Sequence, residues 1–264
     1  MSFFGGFRHR SKHVLPQQGC GELAMKTLGI ITARGGSKGI PRKNLVEVRG
    51  KPLLAYTSEV ALESCLTRVV LSTDDEEIAN FGCELGVDVP FLRPAALATD
   101  TTPTVPVLQD VVRRLEQAGE YYDAVFTLQP TNPLRLVSDI NGAVGLMKQT
   151  GCDSVIGFSD VGERHPARMK ELAIDGRVVD PPFAEQFEGQ RRQDLPRFYL
   201  RDGSVYLTRR NVLMEHNSIK GSDCRAWLIP TQRALNIDEP FDLLLCDFLL
   251  QQDISRYPGE AAGQ

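Results

Sequence analysis

The chain has 264 residues, a formal net charge of −4 and a hydrophobic content of 42%, which are typical of one large soluble α/β domain with a small appendage. The acidic balance argues against a nucleic-acid binder, because such proteins usually carry a clustered basic surface. No apolar run reaches the roughly 20 residues that a bilayer span requires, so the sequence also argues against a membrane partner.

The first 24 residues differ in character from the rest of the chain. They contain several basic side chains and lack the apolar core of a secretory signal. We expect residues 1–24 to form a disordered extension whose removal the fold tolerates, with Met25 as an alternative start. The six cysteines are scattered without a C-x-x-C pair, which predicts reduced thiols in a cytoplasmic protein rather than a zinc site.

The first predicted element is an apolar strand, Thr27–Thr32, that leads directly into a glycine-rich loop, Arg34–Asn44. Glycines allow a close approach of the backbone to phosphate oxygens, and exposed N–H groups together with cations suit a triphosphate. The basic side chains of the loop are Arg34, Lys38, Arg42 and Lys43. The spacing matches neither a Walker A loop nor a G-x-G-x-x-G loop. The alternative interpretation is an ordinary glycine-rich turn with solvated charges.

Strand and helix patterns then alternate along the chain. Further strands are predicted at Arg68–Leu71, Ala124–Leu128, Ser154–Phe158, Ser204–Leu207 and Ala226–Ile229. Helices are predicted from Pro52 through Leu62, from the capping residue Thr73 through Leu85, at Thr104–Gln117, from the capping residue Ser138 through Met147, and at Pro240–Leu250. The alternation predicts an α/β protein with a three-layer α/β/α, Rossmann-like fold and a mainly parallel sheet.

Two loops are expected to meet at one edge of this sheet. Ligands of parallel α/β sheets bind beyond the carboxyl ends of the strands. The cationic loop follows the first strand, and a stiff, proline-bearing loop, Gln129–Arg135, follows the strand at Ala124–Leu128. The sequence therefore predicts that these two loops form one anion-binding site.

The alternation stops between residues 161 and 200, where polar, proline-bearing and arginine-rich sequence takes over. A long segment of this kind often packs on a partner subunit or covers a site. We therefore predict an insertion at 161–200, with the main domain formed by 25–160 and 201–254.

Six motifs occur in the order in which one enzyme family has them. They are A-R-G-G-S-K-G-I-P-R-K-N at Ala33–Asn44, S-T-D-D at Ser72–Asp75, L-R-P-A-A-L-A-T-D at Leu92–Asp100, L-Q-P-T-N-P-L-R at Leu128–Arg135, R-R-Q-D-L-P at Arg191–Pro196 and N-I-D-E-P-F-D at Asn236–Asp242. From Lys26 to about Leu250 the chain resembles the acylneuraminate cytidylyltransferases, also called CMP-sialic acid synthetases. The related CMP-Kdo synthetases fit less well, because their first loop is shorter.

The resemblance implies a nucleotidyltransferase fold and a reaction between CTP and a nonulosonic acid of the neuraminate, legionaminate or pseudaminate type. The products would be a CMP-sugar and pyrophosphate. The resemblance also implies Mg²⁺ as the cofactor and a homodimer formed through the insertion. Two alternatives stay open: a nucleotidyltransferase of the same fold for another base or sugar, and a catalytically impaired nucleotide-binding protein.

The resemblance also implies roles for individual residues. The implied catalytic residues are Arg34, Lys38 and Lys43, which contact the triphosphate. The implied nucleotide-binding set is Ala33, Arg34, Lys38, Lys43, Asn44 at the ribose, and Arg93 with Thr102 at the cytosine. The implied sugar-binding residues are Gln129, Arg192 at the carboxylate, and Tyr206. The implied metal ligand is Asp238, with Asn236 and Asp202 as undecided candidates.

The chemistry of nucleotidyl transfer suits these residue types independently of the resemblance. The reaction depends mainly on positioning and charge neutralisation, so cations and a metal matter more than a nucleophilic side chain. Two positions depart from the family pattern: Asn236 stands where an Asp is common, and Asp202 precedes Gly203 where an Asn is common. The sequence thus supplies one metal-side carboxylate fewer than usual.

Overall fold

A seven-stranded sheet with helices on both faces forms the centre of the computed structural model, which describes residues 25–187 and 189–263. The strands are β1 (Thr27–Thr32), β2 (Glu47–Val48), β3 (Lys51–Pro52), β4 (Arg68–Ser72), β5 (Ala124–Leu128), β6 (Ser154–Asp160), β7 (Glu171–Leu172), β8 (Val178–Val179), β9 (Tyr199–Arg209), β10 (Cys224–Leu228) and β11 (Glu260–Ala261). The α-helices are α1 (Leu53–Leu62), α2 (Glu76–Glu84), α3 (Thr104–Gln117), α4 (Val137–Thr150), α5 (Arg210–Met214) and α6 (Pro240–Leu249). The predicted extension, 1–24, lies outside the described residues.

The strand order of the large sheet is β11-β10-β6-β9-β5-β1-β4. Strand β1 runs parallel to both β4 and β5, and β10 runs parallel to β6. Strand β9 lies antiparallel between β5 and β6, and β11 is antiparallel to β10. The predicted mainly parallel sheet is therefore confirmed.

Apolar side chains of β1 alternate between two core layers, as the pleat of a strand requires. Leu28 and Ile30 pack with Leu108 of α3 on one face of the sheet. Ile31 packs on the other face, in a cluster that includes Ile78 of α2. Because the strand is buried on both faces, its sequence is a continuous apolar run. The two clusters account for the predicted three layers.

Two predicted helix caps are wrong. The N-cap of α2 is Asp75, whose Oδ1 accepts a hydrogen bond from the backbone N–H of Ile78 at 3.0 Å; Thr73 Oγ1 instead accepts from Asp75 N at 3.1 Å. Helix α4 includes Ser138, and Asp139 Oδ2 accepts from Leu136 N at 2.8 Å. In α2 a carboxylate occupies the N-cap itself, and in α4 the carboxylate of Asp139 accepts from the backbone of the N-cap residue Leu136. A charged acceptor at either position also interacts favourably with the positive end of the helix dipole.

The predicted insertion contains the small hairpin of β7 and β8 and two short 3₁₀ helices, Pro166–Arg168 and Arg192–Asp194. The following strand begins at Tyr199, earlier than predicted, and Tyr199 pairs with Asp160 at the end of β6. The segment therefore leaves and rejoins the sheet at neighbouring positions; the division into domains stays a prediction. No helix in the described part of the chain combines the length and the apolar character that a membrane span needs.

A buried ion pair connects α4 to the segments that precede and follow α6. Arg233 Nη1 donates to Asp139 Oδ2 at 2.6 Å and Nη2 donates to Oδ1 at 3.0 Å, and both side chains are fully buried. Arg233 also donates to the carbonyls of Leu134 and Tyr257. Trp227 Nε1 donates to the same Asp139 carboxylate at 3.2 Å. These contacts fix the residues that follow β10 against the end of the Gln129–Arg135 loop.

Candidate functional site

Two adjoining cavities lie where β1 and β5 end. The first, of about 180 Å³, is lined by the cationic loop and by Gln129 to Thr131; we call it the loop cavity. The second, of about 240 Å³, is lined by Arg93, Asp100 and Thr102; we call it the Arg93 cavity. Thr32 and Arg34 line both. In the structure the cationic loop and the Gln129–Arg135 loop thus meet at the carboxyl edge of the sheet, as predicted.

Backbone contacts hold the cationic loop in place. The buried amide of Asn44 donates to the carbonyl of Arg34 at 2.9 Å, and Gly35 N donates to Asp74 Oδ1 at 3.0 Å. A side chain at Gly39 would collide with the carbonyl oxygen of Asp238, so glycine is needed where the loop meets that segment. Asn44 therefore fixes the loop and also lines the loop cavity.

Each cation of the loop is paired with a carboxylate. Arg34 Nη1 lies 2.5 Å from Asp100 Oδ1, and Lys38 Nζ lies 3.1 Å from Asp100 Oδ2. The hydrogen bonds from Lys38 and Arg34 lower the pKa of the Asp100 carboxyl. Arg42 instead turns towards α2, where it pairs with Asp75 and Glu77. Of the four loop cations, Arg34 and Lys43 therefore line the cavities, whereas Lys38 lines neither and pairs with Asp100.

Lys43 is the most buried cation of the loop. Its Nζ donates to the carbonyl of Ile237 at 2.8 Å and to Asp238 Oδ1 at 3.0 Å, and only 16% of its side chain is exposed. The amide of Asn236 donates to the other carboxylate oxygen of Asp238. Both oxygens of Asp238 are thus occupied by donors of the chain itself.

The residues around Asp238 do not form a complete metal cage. No group of three or more His, Cys, Asp or Glu side chains that could hold a metal ion occurs among residues 25–187 and 189–263. Mg²⁺ is commonly held by one or two carboxylates together with substrate phosphates and waters, and Asp238 fits that mode. The neutral Asn236 keeps the Asp238 carboxylate in position and adds no anionic ligand.

The Arg93 cavity has a rigid polar wall. Arg93 is only 8% exposed, its Nη2 donates to the carbonyl of Ser72 at 2.6 Å, and its Nε donates to Ser72 Oγ at 3.1 Å. Burial lowers the pKa of Arg93. Thr99 and Thr102 line the same cavity, and their hydroxyls lie 2.6 Å apart. A flat heterocycle with carbonyl oxygens would find fixed donors here.

Sequence reasoning missed the role of Arg135. Its guanidinium is buried and donates to the carbonyls of Ser204 (2.5 Å) and Gln129 (3.2 Å) and to Thr57 Oγ1 (3.3 Å). Burial lowers its pKa to about 10. Arg135 thereby ties the loop after β5 to β9 and to α1. Its position as the last residue of the L-Q-P-T-N-P-L-R motif was the only signal.

Asp202 lies in the protein interior. Its Oδ1 accepts from Ser204 N at 2.8 Å, and burial raises the pKa of its carboxyl, opposed in part by the charge of Arg135. The side chain lines neither cavity. The hydrogen bond from Ser204 therefore fixes Asp202 inside the protein, and the structure offers no contact that supports it as a metal ligand.

The predicted sugar-binding residues are not all brought together. Gln129 lines the loop cavity, and Gly203 lies so close that a Cβ there would be 3.0 Å from Gln129 Oε1. Tyr206 is almost buried in β9, opposite Ile156. Arg192 lies in the insertion, where its Nη1 donates to Glu163 Oε1 at 3.2 Å. The residue lines a separate cavity of about 430 Å³.

The predicted nucleotide-binding residues lie at the two adjoining cavities. Ala33 is fully buried at the end of β1, where its N–H donates to the carbonyl of Ser72 at 3.1 Å. The cavity-lining members of the set are Arg34, Lys43, Asn44, Arg93 and Thr102. Lys38 reaches the rim through Asp100. Five members of the set thus line the two cavities, while Ala33 and Lys38 line neither.

Comparison with known proteins identifies similar chains. Residues 28–239 match the family described as "Cytidylyltransferase". The chain is 32% identical over 229 residues to the CMP-N,N'-diacetyllegionaminic acid synthase of Legionella pneumophila, covering 86% of this chain and 97% of that one. It is 31% identical over 223 residues to the N-acylneuraminate cytidylyltransferase of Streptococcus agalactiae serotype V, covering 83% of this chain and 52% of that one.

A solved structure has the same fold. CMP:2-keto-3-deoxy-manno-octonic acid synthetase complexed with CTP superposes with a TM-score of 0.65 at 18% identity, over 86% of this chain and 99% of that chain. The predicted Rossmann-like nucleotidyltransferase fold is thereby confirmed.

Proposed function

Because the chain belongs to the cytidylyltransferase family, we propose that it couples CTP to a sialic-acid-like nonulosonic acid and releases pyrophosphate. The sequence-based assignment to the CMP-sialic acid synthetases is confirmed by relatives that make CMP-legionaminic acid or act on N-acylneuraminate. The observation that carries the proposal is the juxtaposition of the cations Arg34 and Lys43 with Gln129 in one cavity at the carboxyl edge of the sheet.

In this reaction the anomeric hydroxyl of the sugar acid attacks the α-phosphorus, and pyrophosphate leaves. We assign Arg34, Lys38 and Lys43 to the phosphates, where they neutralise the charge that develops on the leaving group. We assign the Arg93 cavity to the cytosine and Gln129 to the sugar. No nucleophilic side chain is needed, because positioning and charge stabilisation supply the catalysis.

We propose Mg²⁺ as the cofactor, with Asp238 as the ligand that the chain contributes. When bound, the ion would neutralise phosphate charge beside the carboxylate. The proposal is supported by the position of Asp238 next to Lys43 and the loop cavity. Asn236 would act as the residue that orients the carboxylate.

Replacing Asn236 with Asp should strengthen divalent-cation binding, because a second carboxylate increases the negative charge at the site. We expect Asn236→Asp to lower the Kd for Mn²⁺ about tenfold, as measured from the electron paramagnetic resonance signal of free Mn²⁺ in the absence of nucleotide. The exposed Asn211→Asp serves as the charge-matched control. An equal affinity for the two variants would contradict the location of the metal at Asp238.

A panel experiment tests the proposed reaction. The protein is incubated with Mg²⁺, each of the four ribonucleoside triphosphates, and neuraminic, legionaminic and pseudaminic acid derivatives or Kdo. Pyrophosphate release and product mass are recorded. We expect product with CTP and at least one nonulosonic acid; equal turnover with all four bases would reject cytidine specificity. Stabilisation by CTP without any product would favour the impaired nucleotide-binding protein.

Arg192 remains our proposed partner for the sugar carboxylate, because a guanidinium binds both carboxylate oxygens at once. We expect Arg192→Lys to raise the KM for the sugar acid several-fold while leaving the KM for CTP unchanged, since an ammonium cannot form the same two parallel hydrogen bonds. The exposed Arg177→Lys is the control within the insertion. An unchanged sugar KM would remove Arg192 from the substrate site.

We propose that the chain forms a homodimer through the insertion. Support comes from large apolar side chains that the hairpin of β7 and β8 leaves in contact with solvent: Leu172 is 75% exposed and Val178 65% exposed. Contiguous exposed apolar surface of this kind marks interaction sites.

Light scattering after size exclusion should give twice the 29.3 kDa mass of one chain at micromolar concentration. The double substitution Leu172→Asp and Val178→Asp should give the monomer, because a charge placed on each exposed apolar position opposes its burial. Tyr121→Asp, which alters an exposed aromatic outside the insertion, should leave the dimer intact. A monomeric unmodified protein would overturn this proposal.

We also propose a cytoplasmic location. It is supported by five free cysteines within the described ranges, two of them exposed, because unpaired accessible thiols are typical of reducing compartments.

A further inference from the structure

The carboxylate of Asp100 already binds two of the cations that would hold a polyphosphate. Its two oxygens accept from different residues: Oδ1 from Arg34 Nη1 at 2.5 Å and Oδ2 from Lys38 Nζ at 3.1 Å. Asp100 lines the Arg93 cavity, and Arg34 lines both cavities. The cationic loop is therefore charge-balanced by the chain itself at the point where the two cavities join.

An incoming polyphosphate would bind the same two side chains. Arg34 and Lys38 cannot offer those hydrogens fully to phosphate oxygens while they donate them to Asp100. A phosphate and a carboxylate at the same cations would also repel each other, since like charges a few ångströms apart interact unfavourably even near a protein surface. Binding of the anion is therefore opposed for as long as the carboxylate stays beside these cations.

Asp100 is placed where it can leave at low cost. It follows the short 3₁₀ helix Ala95–Leu97 in a surface turn, and 40% of its side chain is exposed. Exposed ion pairs are individually weak, so a rotamer change that moves the carboxylate into solvent loses little. Lys43 differs, because Ile237 O holds its ammonium independently of any carboxylate.

We propose that Asp100 is an internal competitor for the polyphosphate: it neutralises Arg34 and Lys38 in the ligand-free protein, yields them when the nucleotide binds, and so sets nucleotide affinity. After transfer the carboxylate returns to these cations as pyrophosphate leaves, which favours product release. The identification of the anion as a nucleotide rests on the proposed function; the competition itself concerns any polyphosphate.

The test uses the full chain and a probe without base or sugar. Calorimetric titration with tripolyphosphate, in EDTA at about 50 mM salt, is compared for the unmodified protein and for Asp100→Asn, which keeps the shape and removes the charge. We expect binding about three- to tenfold tighter in the variant, the range that loss of two exposed ion pairs allows. Asp175→Asn, an exposed carboxylate of the insertion that pairs with Arg177, should bind like the unmodified protein.

Tighter binding is the informative result, because a carboxylate with a merely structural role would leave affinity unchanged or weaken it when removed. Unchanged or weaker binding by Asp100→Asn, with an unaltered melting temperature, would overturn the proposal. Asp100→Ser is the second variant should the amide destabilise the turn, and the same expectation applies to it.

A double variant tests whether the effect passes through the named cation. In the Lys38→Met background the gain from Asp100→Asn should shrink, because one of the two competed donors is gone; an equal gain in both backgrounds would contradict the competition. Failure of the proposed function is separate. If the triphosphate panel yields product but Asp100→Asn leaves the affinity for tripolyphosphate unchanged, only the proposed competition is rejected. If the panel yields no product but Asp100→Asn binds tripolyphosphate more tightly, the competition is supported and only the proposed function is rejected.

Discussion

Lys43→Met should lower kcat/KM by about 100- to 1,000-fold, the size of effect seen when one fixed donor to a developing charge is removed. The side chain is the most buried of the three cations assigned to the phosphates, and two oxygen acceptors hold its ammonium before substrate arrives. A preorganised cation needs no reorientation during the reaction, so we expect its removal to lower mainly kcat. Initial rates of pyrophosphate release, measured over a range of CTP concentrations at saturating sugar acid, give both kcat and kcat/KM.

The matched control is Lys148→Met, which removes the same charge from the exposed surface of α4 and should change kcat/KM less than twofold. Lys43→Arg should give an intermediate rate, since the charge stays and the geometry changes. A melting temperature close to that of the unmodified protein would show that the fold survives the substitution. Similar rates for Lys43→Met and Lys148→Met would exclude the loop from the chemistry.

Arg233→Met should lower the free energy of unfolding by about 3–5 kcal/mol, because removal of one member of a buried pair leaves the other charge without compensation. Asp139 is fully buried and would keep the hydrogen bonds from Trp227 and from Leu136 N, neither of which brings a compensating positive charge. For a chain of this size the loss corresponds to a melting temperature roughly 10 °C lower. Urea denaturation followed by circular dichroism measures it.

Arg225→Met is the control for that experiment. Arg225 pairs with Asp223 at the surface, with about half of each side chain exposed, and such pairs contribute about 0–1 kcal/mol. Combining Arg233→Met with Asp139→Asn should recover part of the stability, since no unpaired buried charge then remains. If Arg233→Met and Arg225→Met destabilise equally, the buried pair does not have the structural importance given to it here.

Much of the fold was predictable because it depends on local patterns. The apolar run of β1 and the amphipathic spacing of α3 fixed both elements with the observed bounds, Thr27–Thr32 and Thr104–Gln117. The antiparallel placement of β9 was not predictable, because it depends on pairing with two strands distant in the sequence. The caps of α2 and α4 were missed because the capping carboxylates, Asp75 and Asp139, lie within two residues of a hydroxyl side chain that is an equally good candidate by sequence.

The candidate site was predictable to the extent that motifs follow strands. The cationic loop and Gln129 each come directly after a strand, so their meeting at one edge follows from topology. The pairing of Arg34 and Lys38 with Asp100 could not be foreseen, because it joins residues more than sixty positions apart. The same holds for Arg135, whose three acceptors come from different elements.

The adjacency of Asp160 and Tyr199, on antiparallel neighbours, has a consequence for engineering. The chain between them begins and ends one strand spacing apart, about 5 Å, so its length and content can vary without shifting the register of β6 or β9. Exchanging the segment between Asp160 and Tyr199 among relatives should therefore transfer any binding specificity that the segment confers, while the geometry of the sheet is kept.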